Sequence, residues 1–178
     1  ERYLKQITDS FERTGIEPSL IVLEPERKNT LAPIISATIL SNKGLESEKL
    51  IAMPSDHYIS NNKKFYKACK KVIKRNQETL FLFGVKPEYP SQEYGYIIGR
   101  KGKIEFIEKP TIEEAKRLVK KKNICWNSGI FIFGRDWFLS KSKEIDSINF
   151  SEIHESIKKG KKLGNLFHFK DSSFTNIK

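Results

Sequence analysis

Cysteine, arginine and long apolar runs are what this sequence has least of. Its 178 residues include two cysteines, Cys69 and Cys125, far apart and at no metal-ligand spacing. Two such isolated thiols read as buried free cysteines in a reducing compartment, so a cytoplasmic location is expected. No apolar run approaches the ~18–20 residues of a membrane-spanning helix, and no membrane partner is expected. Only 7 of the 33 basic residues are arginine. Planar, bidentate recognition of bases and phosphates favours arginine, so the formal charge of +11 does not by itself make a nucleic-acid binder. The lysines are also diffuse: Lys63, Lys64, Lys67, Lys70, Lys71 and Lys74 in one helical segment, Lys116 and 120–122 in a second, Lys158, Lys159, Lys161 and Lys162 in a third. They read as solvated faces, in a field that also welcomes an anionic small substrate. No specific nucleic-acid partner is expected. An initiator methionine is lacking too, and the first residues read as an amphipathic helix rather than a targeting segment. The expectation is a chain that begins inside a longer protein, its N-terminal part missing.

What is present is a folded domain: 38% hydrophobic and 31% charged residues over a length that can bury a core. Apolar residues at helical spacing predict helices over 1–14, 31–40, 61–75 and 111–121, with Gly15 as a stop and Thr111 as a cap. Short apolar runs predict strands at 20–23, 50–53 and 79–85. This alternation predicts a doubly wound, mostly parallel sheet. After residue 93 the rhythm changes. Strands are expected at 94–99 and 103–109, with a turn at 101–102, then a strand over 124–133 interrupted by Asn127, Ser128 and Gly129. Helices starting at 137 and 150 and a strand at 166–169 complete the pattern. His154 and His168 stand alone and read as structural or exposed, and no convincing nucleophile–base set is present.

Polar residues at strand ends are the candidates for function. Pro54 stops the strand at 50–53, so Asp56 falls just past its carboxyl end, where open α/β sheets bind ligands. Asp56 reads either as a cap or turn residue or as a hard oxygen ligand for Mg²⁺ carrying phosphates. The charged segment 24–30, Glu-Pro-Glu-Arg-Lys-Asn-Thr, lies between a strand and a helix N-terminus. It is either a solvated loop or a phosphate- and base-binding one. Gly95 permits a close backbone approach or marks a bulge. Glu108 and Lys109 offer an acceptor and a donor beside Pro110, or are plain surface charges. Asn127 is either satisfied within the protein or presented to a ligand by a bulge.

Five of these stretches occur in an order that resembles the sugar-nucleotide pyrophosphorylases. They are 24–30; 54–57, Pro-Ser-Asp-His; 94–97, Tyr-Gly-Tyr-Ile; 106–110, Phe-Ile-Glu-Lys-Pro; and 126–131, Trp-Asn-Ser-Gly-Ile-Phe. The first and last point to the guanylyl, mannose-type branch. The resemblance covers residues 20–133, with a weaker continuation. It implies a three-layer α/β/α, Rossmann-like and glycosyltransferase-A-like nucleotidyltransferase domain, its mixed sheet mostly parallel. One such domain over 1–178 is expected, with a nucleotide half (1–93) and a sugar half (94–178).

The implied reaction is GTP plus mannose 1-phosphate to GDP-mannose and pyrophosphate, by direct in-line attack with Mg²⁺ as cofactor. Carried over by position, Asp56 holds the metal and lies at the nucleotide, and Glu24, Lys28, Asn29 and Thr30 lie near the base. Gly95, Tyr96, Glu108 and Asn127 line the mannose pocket, and Lys109 faces the phosphate. A homodimer is left open. There are departures. The family's glycine-rich phosphate loop is not found, and Leu31 intervenes before Ala32 and Pro33. The second metal-binding Asp has Asn176 at best in its place, and the isomerase domain that many relatives carry downstream is not within these residues. Reduced or no activity of this piece alone is therefore expected. A low-specificity enzyme using another sugar 1-phosphate and a non-catalytic sugar-nucleotide-binding module are the rival readings.

Overall fold

The computed structural model describes residues 3–26, 30–41, 49–76, 78–100, 103–170 and 174. In chain order the elements are α1 (Leu4–Thr14), β1 (Ile21–Leu23), α2 (Leu31–Leu40), β2 (Lys49–Ala52), α3 (Asn62–Ile73), β3 (Phe81–Val85), β4 (Tyr96–Arg100), β5 (Lys103–Ile107), α4 (Ile112–Leu118), β6 (Ile124–Gly134), α5 (Arg135–Ile145), α6 (Ser147–Lys159), β7 (Lys161–Leu163) and β8 (Leu166–His168). They form two compact units, Glu1–Glu46 with Arg135–Lys178, and Ser47–Gly134. The halves expected at 1–93 and 94–178 are a functional division; the compact units are drawn elsewhere.

In the first unit, β1 pairs with β8 in parallel and β8 with β7 antiparallel. The β7–β8 turn contains Gly164 at φ 60°, a left-handed conformation that glycine adopts without a Cβ clash. Ala32 and Ile35 of α2, Ile153 of α6, and Phe167, Phe169 and Phe174 form the core. Arg135, opening α5, donates from Nε to the Ser41 hydroxyl at 3.2 Å, tying α5 to the end of α2. α6 is capped by the Asp146 carboxylate, which accepts from the Asn149 N–H at 3.0 Å.

The second unit is a five-stranded sheet built on β6, with β2, β3 and β4 all antiparallel to it and β5 antiparallel to β4. Its core packs Tyr96, Ile98, Ile124 and Trp126 against Ala115 and Leu118 of α4. α4 starts as expected at Thr111, where a capping box joins Thr111 and Glu114.

The mixed α/β architecture holds, but the mostly parallel sheet does not. Only β1 and β8 pair in parallel; every other pairing among the described strands is antiparallel. The reason is specific. β2 and β3, joined through α3, do run in the same direction, as a crossover requires. They are not neighbours, because β6, from much later in the chain, lies between them in the opposite direction.

Lys49 opens β2 and closes α3. Its ammonium donates to the carbonyls of Val72, Arg75 and Asn76 at 3.0, 2.6 and 3.1 Å. It also lies over the Phe81 ring. A cation on the orphaned carbonyls of a helix C-terminus is favourable. Lys49→Met keeps the aliphatic stem and removes the three bonds. It should lower the unfolding free energy by on the order of 1 kcal/mol, read from the denaturant midpoint at unchanged slope.

Candidate functional site

Pairing register defines where this site sits. Ile132 of β6 pairs with both Phe81 of β3 and Ile51 of β2, and Trp126 with both Val85 of β3 and Tyr96 of β4. β3 therefore holds one edge of β6, and β2 and β4 share the other. On that shared edge β4 reaches Trp126 and β2 begins at Phe131, which leaves 127–130 between them. The end of β2 and the start of β4 meet this interval. The Asn127 N–H donates to the Gly95 carbonyl at 2.7 Å. Pro54 Cγ stands 3.2 Å from where a Cβ on Gly129 would be, and Gly129 has φ 68°. The segments that carry Asp56, Gly95 and Asn127 thus converge on one stretch of one strand.

The interval is a bulge, with a register shift against β3 between Leu82 and Gly84. Its polar groups are largely satisfied from within. The Ser128 hydroxyl donates to the Phe83 carbonyl at 2.7 Å and accepts from the Ile130 N–H at 3.2 Å. The Asn127 side-chain carbonyl accepts from the Gly129 N–H at 3.1 Å. The Asn127 NH₂ makes no hydrogen bond among the described residues. The interruption is a bulge, and the Ser128 hydroxyl and the Asn127 side-chain carbonyl are satisfied within the protein, while the two N–H groups of the Asn127 amide are not engaged among the described residues.

Gly95 is not in the bulge; it is where β5 closes in. A Cβ there would stand 2.6 Å from Phe106 Cζ and 2.8 Å from Glu108 Oε2, nearer than side chains tolerate. Alternation along β5 puts Phe106 and Glu108 on the same side, and pairing places Ile97 and Cys125 beside them. Glu108 is exposed. Lys109 is exposed as well, and has φ 40° immediately before Pro110. Both the positive φ and the following proline disfavour that backbone for a lysine, and such conformations gather at functional sites.

Tyr96 does not join this face. It is fully buried on the opposite side with the α4 core, and its hydroxyl both donates to the Ser91 carbonyl and accepts from the Ser91 N–H, each at 2.9 Å. It is a packing and tethering residue for the 91–95 segment. Trp126 shares that side, its ring 4.9 Å from Tyr89 and 5.0 Å from Tyr94.

Asp56 lies in an exposed turn two residues beyond Pro54. Its carboxylate has no hydrogen-bond or ion-pair partner among the described residues. Among those residues no group of three or more His, Cys, Asp or Glu could hold a metal. A single free carboxylate suits a Mg²⁺ that arrives on phosphates better than an all-protein cage. Glu24 and Thr30 belong to the other compact unit. Glu24 Oε1 is buried without a hydrogen-bond partner among the described residues, and burial pushes the carboxyl pKa up. Thr30 is exposed at the start of α2 and makes no side-chain cap. Lys28, Asn29 and Asn176 lie outside the described residues. Phe106 is the member of this face that the choice of polar candidates passed over. The two-residue spacing from Glu108 in an alternating strand was the signal available.

The strand-end polar residues thus gather beside one edge of β6, at the gap between β2 and β4. The nucleotidyl transferase family model matches residues 2–171, and the chain belongs to that family. It is 29% identical to mannose-1-phosphate guanylyltransferase of Sinorhizobium fredii over 167 residues, which are 89% of this chain and 33% of that protein. It is 33% identical to mannose-1-phosphate guanylyltransferase of Escherichia coli over 137 residues, 68% of this chain and 29% of that one. The chain thus spans about a third of these curated relatives. The crystal structure of a protein named mannose-6-phosphate isomerase from Helicobacter pylori superimposes with a TM-score of 0.88 at 25% identity, over 99% of this chain and 72% of that one.

Two outcomes follow for the residues themselves. The neutral form of Glu24 is favoured in the folded state, so its contribution is present below the ordinary glutamate pKa of about 4.3 and is lost as pH rises through the raised value. Glu24→Gln cannot ionise. Its stability relative to wild type should therefore climb with pH across that window and be flat below it, as a pH series of melting temperatures will read. Gly95→Ala meets only the tips of two exposed side chains, the Phe106 ring and the Glu108 carboxylate, which can swing aside, so it should cost less than about 1 kcal/mol of stability in chemical denaturation.

Proposed function

We propose that this chain is the core of a sugar-1-phosphate nucleotidyltransferase that makes GDP-mannose and pyrophosphate from GTP and mannose 1-phosphate. Membership of the nucleotidyl transferase family supports the reaction class, and the names of its relatives support the substrates. The observation that carries the reading is the convergence of the segments bearing Asp56, Gly95 and Asn127 on the 127–130 interval of β6, with Glu108 against Gly95.

In this reaction a phosphate oxygen of mannose 1-phosphate attacks the α-phosphorus of GTP. One P–O bond forms, the bond to the β-phosphate bridge breaks, and pyrophosphate leaves with the electron pair. No protein nucleophile is required; positioning and charge neutralisation carry the rate. Asp56 would hold Mg²⁺, which when bound offsets the negative charge of the phosphates. Lys109 would face the sugar phosphate as a point charge. Glu108 accepts from hexose hydroxyls and the Asn127 NH₂ donates to one. The resemblance of residues 24–30 supports nucleotide contacts for Glu24, Lys28, Asn29 and Thr30.

The test is pyrophosphate release from GTP and mannose 1-phosphate with Mg²⁺, wild type against Asp56→Ala, together with calorimetric titration of GDP-mannose and UDP-glucose. The expected result is binding selective for GDP-mannose, and release slowed at least about 100-fold by the substitution, the scale of losing a principal electrostatic stabiliser. Release at equal rates in the two proteins would remove Asp56 from the mechanism. Binding with no release by either protein would leave a binding module.

A further inference from the structure

Phe106 is a large apolar side chain with no job in the core. It belongs to neither buried cluster, and 47% of its surface is open to solvent. Its strand, β5, is an edge strand in which Lys103, Ile104, Glu105 and Phe106 are all exposed. α4 covers the other side of this sheet, where Tyr96, Ile98 and Trp126 pack. An exposed phenyl ring is ordinary on its own. Three features set this one apart. Its tip is pressed to Gly95, whose missing side chain makes the room. The Glu108 carboxylate reaches the same spot, so ring and carboxylate are neighbours. And Gly95 is hydrogen-bonded to Asn127, whose NH₂ is uncommitted among the described residues.

An apolar ring face, an acceptor-only carboxylate and a free amide donor form a matched set. A pyranose has an apolar face of C–H groups and a rim of hydroxyls that both donate and accept. Binding sites of this type place an aromatic surface beside a few fixed polar groups. A carboxylate so close to the phenyl ring disfavours an anionic occupant at this spot, which leaves the neutral ring of a sugar phosphate as the part that fits. We propose that Phe106 is a substrate-binding residue whose ring stacks on the hexose, setting the plane in which Glu108 and Asn127 read the hydroxyls. The proposal rests on the nucleotidyltransferase reading and adds to it the residue that recognises the sugar ring.

The experiment compares calorimetric titrations of GDP-mannose and of GDP, so that the hexose is the only difference. Wild type, Phe106→Leu, Phe106→Tyr and Ile104→Ala are measured as the full chain. Leucine keeps an apolar side chain on a half-exposed site and removes the aromatic face. Tyrosine keeps the face. Ile104 is exposed two residues away on the same side of β5, and reports on loss of surface hydrophobicity alone. Phe106→Leu should weaken GDP-mannose by about three- to tenfold, the scale of an aromatic contact, and leave GDP unchanged. Phe106→Tyr and Ile104→Ala should match wild type. Equal weakening of GDP and GDP-mannose, or unchanged GDP-mannose binding by Phe106→Leu, would overturn the role given to Phe106. Wild type binding neither GDP-mannose nor UDP-glucose would overturn the functional reading itself, and this inference with it.

Discussion

Everything in the Ser47–Gly134 unit hangs on hydrogen bonding to both edges of one eleven-residue strand. β6 carries β3 along one edge and both β2 and β4 along the other. Two strands cannot occupy one edge without a gap between them, and that gap is residues 127–130. A gap in a ladder leaves main-chain groups to be satisfied by other means. Here the Asn127 N–H continues to the Gly95 carbonyl, Ser128 takes over one carbonyl of β3, and Gly129 turns the chain with a positive φ. The bulge and the site are therefore one feature. The polar residues that interrupt an apolar run are what lets two strands end there.

The same constraint explains the division of labour along β4. Gly95 and Tyr96 are adjacent, but alternation sends them to opposite sides of the sheet. Tyr96 anchors the 91–95 segment from within the α4 core, through two hydrogen bonds to Ser91. Gly95 is then held where Phe106 and Glu108 can close over it. Neither residue substitutes for the other: a side chain at 95 would displace Phe106 and Glu108 from their places over it, and a small residue at 96 would leave the Ser91 amide and carbonyl buried and unpaired.

Much of this was legible in the sequence, and the illegible part has a physical pattern. The bounds of α2 and the start of α4 followed from apolar spacing and the Thr111 cap, because those signals are local. The bulge at 127–129 was legible because buried polar residues need partners. Strand direction was not. The α–β alternation correctly gave β2 and β3 a common direction, yet pairing is decided by where β6 inserts, and no local pattern records that. Tyr96 was assigned to the pocket through its motif, whereas alternation from Gly95 already placed it on the far side. Phe106 was overlooked because exposed aromatics are common, and its meaning lies in a contact with Gly95 eleven residues earlier. The Lys49 clasp on α3 depends on chain closure over more than twenty residues and leaves no trace in spacing.

How the bulge commits its own polar groups determines what it can offer to anything else. The Ser128 hydroxyl has spent its donor and accepts one N–H, and the Asn127 carbonyl is engaged by the Gly129 N–H. What remains here among the described residues is the Asn127 amide with its two N–H donors, and the Glu108 acceptor nearby across Gly95. A phosphate asks for several donors and no carboxylate, and a base asks for a coplanar donor–acceptor edge. A hydroxyl asks for one of each, in no fixed plane. The arrangement at Gly95 is thus suited to polyol chemistry. In the reaction proposed above, the anionic ends of the substrate would be met elsewhere, by the Lys109 ammonium just beyond Glu108 and by the Asp56 carboxylate acting through a cation. Separating neutral recognition from charge handling in this way would let a sugar be read without the phosphate field overriding it, and the short gap in β6 pairing is the feature of the sheet that leaves room for it.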